Sequence, residues 1–170
     1  MMAPFRPIAL AMCLAPSALF AQSPSGSITG TLDLEDAVWQ VTDTEGLPSS
    51  GFTEVDGGYR VTLVGYPDRA ADDRDGALEL AFTATGDPTE IEVVEASLRY
   101  LSAGDGTDHV AEGQNIDLSL TALEVGGDEM ALSGSLAATM TPGSAEDLVI
   151  EDEYAITFDG NFQATVGRAD

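Results

Sequence analysis

From Ser27 onward, apolar and polar residues alternate with a period of two over most of the chain, the spacing of strands with one face on a core and the other in water. Ile28, Gly30, Leu32 and Leu34 on even positions predict a first strand. Ala37, Trp39 and Val41 on odd positions predict a second, with Glu35-Asp36 as the connection. A short strand is expected over Phe52–Val55, a longer one from Tyr59 to Tyr66, and another through Leu78, Leu80, Phe82 and Ala84. Between Thr89 and Leu101 the apolar phase changes. Ile91 and Val93 are odd, whereas Val94, Ala96, Leu98 and Tyr100 are even, so a β-bulge near Val93-Val94 is needed to keep one face apolar. A weak strand follows around His109 and Val110.

Ile116 to Met140 reads as a hairpin. Ile116, Leu118, Leu120 and Ala122 share a face with Met130, Leu132, Gly134, Leu136 and Ala138 if the turn is Gly126-Gly127-Asp128, which sets Leu120 opposite Gly134 and Leu118 opposite Leu136. Tyr154, Ile156, Phe158, Phe162, Ala164 and Val166 then predict one long bent strand running through Asp159-Gly160. No amphipathic helix is expected after the N-terminal segment. The fold class is therefore all-β, a single antiparallel β-sandwich or small closed β-barrel of about eight to ten strands.

One pattern recurs: Ile28-Thr29-Gly30-Thr31-Leu32, Leu132-Ser133-Gly134-Ser135-Leu136 and Phe158-Asp159-Gly160-Asn161-Phe162. Each places a glycine on the apolar side of a strand, where a bend or a close neighbour requires it. A bulky group shared by coiled strands is the expected cause, and Trp39, the single tryptophan, is the candidate. An exposed Trp39 serving as a binding platform is the alternative.

Arg6 ahead of an apolar run from Ile8 to Phe20, with small residues after it, has the layout of a secretory signal peptide. Residues 1–21 are assigned to it and residues 22–170 to a single all-β domain, periplasmic or secreted. Cys13 is the one cysteine and falls in the signal, so no disulfide supports the domain.

Charge changes the picture most. The chain has 30 Asp and Glu against 6 Arg and no Lys, a surface that repels nucleic acid and anionic lipid. Neither partner is expected, nor stable membrane insertion; a protein or carbohydrate ligand remains open. His109 is the only histidine, and no Gly-x-Ser-x-Gly elbow occurs, so nucleophilic triads fail on inventory and no catalytic residue is assigned.

Calcium is the one metal suited to this oxygen-rich composition. Asp72, Asp73 and Asp75 are its candidate ligands, although Ala71 and Phe82 stand where an EF-hand requires acids. The function expected is an exported acidic binding or structural module without catalytic activity. The alternatives are a calcium-dependent adhesion module, a carboxylate-based hydrolase and an outer-membrane barrel.

Overall fold

The computed structural model describes residues 25–42, 46–67, 74–87, 90–102, 107–143 and 154–169. They form antiparallel strands β1 (Ser25–Leu32), β2 (Glu35–Thr42), β3 (Gly51–Val55), β4 (Gly58–Tyr66), β5 (Leu78–Asp87), β6 (Glu90–Tyr100), β7 (His109–Glu112), β8 (Ile116–Gly126), β9 (Glu129–Pro142) and β10 (Ile156–Gly167). Neighbours run β10-β1-β2-β4-β5-β6-β7-β9-β8, β3 adds to β4, and β9 pairs back with β10, so the sheet runs in a ring.

It is not a barrel, because the ring is narrow at two seams. Only Gln40↔Tyr66 and Val41↔Gly65 join β2 to β4, and only His109↔Pro142 and Val110↔Thr141 join β7 to β9. The seams divide the ring into two halves whose apolar faces meet in one core. Phe82 of β5 stands against Phe162 of β10 there, with ring centroids 6.4 Å apart. Each fully buried Leu, Ile or Phe in this core contributes about 1.5–3 kcal/mol.

The repeated glycine pattern occupies three adjacent strands. In β1, β10 and β9, Gly30 pairs with Gly160, and Phe162 pairs with Gly134. A Cβ on Gly134 would lie 2.6 Å from Cζ of Phe162, and one on Gly160 would lie 2.8 Å from Cζ of Phe158 and 2.9 Å from Cα of Gly30. The bulky groups are thus two phenylalanines from the pattern itself, not Trp39. Trp39 instead covers Gly65 across the β2–β4 seam, where a Cβ would sit 2.6 Å from its own Cβ. Its ring is 2 % exposed, meets Phe158 edge-on at 5.8 Å and donates from Nε1 to the Gly76 carbonyl at 2.8 Å. The exposed-platform alternative is overturned.

Two further expectations are corrected and a third is met. The β1–β2 turn is Asp33-Leu34, both at positive φ (50° and 71°), the two-residue hairpin geometry whose twist suits the strands, so Leu34 is 89 % exposed and not in the core. In the β8–β9 hairpin the expected pairs Leu118↔Leu136 and Leu120↔Gly134 do form, but through a two-residue turn, Gly127-Asp128, combined with a bulge at Thr121. That bulge moves the core face to Leu123 and leaves Ala122 exposed. The bulge expected near Val93-Val94 is present: Thr83 pairs with Glu95 and Ala84 with Val93, leaving Val94 unpaired and exposed.

A smaller core of Val64, Tyr66, Ala77 and Leu101 lies under the segment before β3. Ser50 Oγ accepts from the Val64 N–H at 2.7 Å, and the Tyr66 hydroxyl donates to the Pro48 carbonyl at 2.9 Å. Burial pushes the Tyr66 hydroxyl above its ordinary pKa, with Arg74 opposing and Glu79 adding to the shift. A raised phenol favours the folded state below the unfolded value of about 10, and that contribution is lost as pH rises through the folded value. Tyr66→Phe should therefore cost about 1 kcal/mol at neutral pH for the lost hydrogen bond and flatten the alkaline fall in stability. Urea unfolding at neutral and alkaline pH checks this; an alkaline limb unchanged in the variant would assign it elsewhere.

At the other end Arg168 ties three parts of the chain together. It reaches Glu54 of β3 at 2.9 Å and Asp128 of the β8–β9 turn at 3.4 Å, and its guanidinium lies 5.3 Å over the Phe52 ring.

Candidate groove between β6 and β8

The ring is incomplete along one line. β7 pairs with β6 only from Ser97 to Tyr100. The chain then turns through a 3-10 segment at Gly113–Asn115, and β8 begins at Ile116 as a partner of β9 alone. The part of β6 from Ile91 to Ala96 therefore keeps β5 on one side and has no paired strand on the other among the described residues. β8 likewise has a free edge facing β6.

The split opens a groove of about 920 Å³. Its floor on the outer face is made of small residues, Ala81, Thr83 and Ser97, and Phe82, Val93, Ala96, Ile116 and Leu118 of the core line its depth. Register places Arg60, Thr83 and Glu95 side by side across β4, β5 and β6. Glu112, Gln114 and Asp117 stand on the opposite wall. Among the described residues Arg60 forms no ion pair, whereas Arg74, Arg99 and Arg168 each hold an acid. Further along the same β5–β6 and β8 walls, a second pocket of about 390 Å³ is lined by Tyr59, Ala84, Ile91, Leu123 and Val125, with Thr85 and Glu124 as polar members. Its volume and mostly apolar lining are those of a small-ligand site.

None of the candidate site residues that the structure describes lines the groove. Asp72 and Asp73 fall outside the described residues, and Asp75 is exposed in the turn before β5. Among the described residues no three His, Cys, Asp or Glu gather as a metal cluster. His109 opens β7, its Nε2 donating to the Tyr154 carbonyl at 3.2 Å while Nδ1 is buried without a hydrogen-bond partner among the described residues. Neighbouring Asp108 is held by Arg99 at 2.6 Å, and His109 lines neither pocket.

Sequence reasoning missed the groove because it depends on which strands are neighbours. The one local signal was the phase change at Val94, since bulges collect where pairing ends. Among the described residues no helix is long and apolar enough to cross a membrane, which leaves strands unaddressed. Compared with known proteins, the chain matches no family, no curated sequence and no solved structure.

Proposed function

We propose that the protein is an exported, non-enzymatic binding module, periplasmic or secreted, whose ligand lies in the groove between β6 and β8. The observation that carries this reading is the split in the sheet, which lets core side chains such as Val93, Ile116 and Leu118 line an open groove. Apolar depth with a few polar groups at the rim is the usual make-up of a ligand site. The signal-like residues 1–21 and the cysteine-free remainder support export without disulfides.

Two measurements test it. An anilinonaphthalene dye should bind the purified protein saturably, and Thr83→Arg, which places a long side chain on the groove floor, should abolish that binding while leaving the unfolding midpoint within a few degrees. Ester, glycoside and peptide substrates should not turn over. Turnover removed by a single Asp or Glu substitution would replace this reading with a carboxylate hydrolase.

A further inference from the structure

We infer that the groove takes an extended basic peptide, which adds as a further strand to the free edge of β8; this deepens the reading of the groove as a binding site. An unpaired strand edge presents a row of N–H and C=O groups that another extended chain can meet, the means by which many domains capture peptides. Among the described residues two such edges border this groove, β6 from Ile91 to Ala96 and β8 from Ile116 onward. They are not equivalent. The bulge at Val94 bends the β6 edge, whereas β8 runs without irregularity from Ile116 to Leu120 before its own bulge at Thr121. The regular edge is the one an incoming strand can follow.

Side-chain chemistry fixes the character of the occupant. Alternate positions of β8 place Ile116 and Leu118 toward the core, near Phe82, Val93 and Ala96, and Asp117 on the outer face, with Glu112 on the same wall and Glu95 across the groove. A strand laid beside β8 shares this alternation, so it needs apolar side chains on one face and basic ones on the other. Three carboxylates against Arg60 give the groove a negative balance, on a chain of net charge −24. A second copy of the same chain is disfavoured as occupant, because its edge would bring the same acids to the same place. The acids that keep copies apart are those that attract a basic segment.

The test is calorimetric titration of the purified protein with an octapeptide alternating lysine and valine, a version with proline at its centre, and a glutamate–valine version. The lysine–valine peptide should bind, the proline version about tenfold more weakly for its lost backbone pairing, and the glutamate version not at all. Glu95→Gln and Asp117→Asn should each weaken binding about two- to fivefold and reduce its salt dependence. Amide exchange should slow at residues 91–96 and 116–120 on addition of the lysine–valine peptide.

Equal binding of the proline version, or binding without this protection, would overturn the proposal in favour of diffuse charge attraction. Failure of every peptide while the dye still binds would overturn the peptide as ligand and leave the groove as a site for something else. Failure of peptide and dye together would remove the groove reading as well and leave the acids as guards of an exposed edge.

Discussion

Trp39→Ala should destabilise the protein by about 3–5 kcal/mol, the range for deleting a buried aromatic that the surroundings cannot replace. The indole stands at one of the two narrow seams of the ring. It stands over Gly65 of β4, packs edge-on against Phe158 of β10 and donates to the carbonyl of Gly76 just before β5. Three strands, β2, β4 and β10, and the turn before β5 therefore converge on a side chain beside a seam of only two residue pairs. Trp39→Phe separates packing from hydrogen bonding. It keeps an aromatic ring against Phe158, and the Gly76 carbonyl left without its donor should cost on the order of 1–3 kcal/mol. Denaturant unfolding measures both variants. If the phenylalanine variant proves as unstable as the alanine one, the hydrogen bond dominates and the packing argument fails.

The second large effect is expected at the paired glycines. Gly160→Val should cost on the order of 3 kcal/mol or more, at the upper end of overpacking, and Gly134→Val about 1–3 kcal/mol. The difference lies in what a new side chain meets. At Gly160 it runs into the Thr29 carbonyl and Cα of Gly30, backbone that can yield only if β1 and β10 part. At Gly134 the obstacles are the Phe162 ring, which can turn aside, and the Ser119 carbonyl, which cannot. Ser133→Val is the control. Ser133 lies on the other face, with its hydroxyl 2.9 Å from that of Thr121 in an exposed pair, so its change should stay within about 0.5 kcal/mol. A destabilised Ser133 variant beside an unharmed Gly134 variant would contradict the facing of β9.

Much of this architecture was legible because period-two alternation is a local signal. The bulge at Val94 followed from a phase change that no straight strand can absorb, and β10 was read as unbroken because a turn at Asp159-Gly160 would have put Phe158 and Phe162 on opposite faces. The β8–β9 register came out right by a different device. Facing constrains the sum of turn and bulge, not how that sum is divided, so Thr121 was invisible and Ala122 misplaced. Leu34 failed for a related reason: its side chain continued the alternation while its backbone was needed at positive φ in the turn.

The partner of the glycines was misassigned because the sequence shows that a glycine makes room but not for which ring. Phe162 belongs to Gly134 only because β9 and β10 are neighbours. The groove is the extreme case, since among the described residues it is defined by a strand that β6 lacks, and the sequence marks that only through the phase change at Val94. The carboxylates of Asp72, Asp73 and Asp75 are a different case, since the first two lie outside the described residues. Clustered carboxylates are conspicuous in a sequence, yet Asp75 lies away from both pockets.

The pairing of β1 with β10 also sets the order in which the molecule can be completed. β1 needs β2, made directly after it, and β10, the last strand of the chain, and Ile28 meets Phe162 only when nearly the whole sequence is available. Contacts between such distant positions carry a large loop-closure cost and slow the folding of all-β proteins. Until β10 arrives, β1 and β9 both present bare edges. Those glycine-rich edges stay uncovered until the last strand is in place, and a net charge of −24 on every copy works against their joining one another.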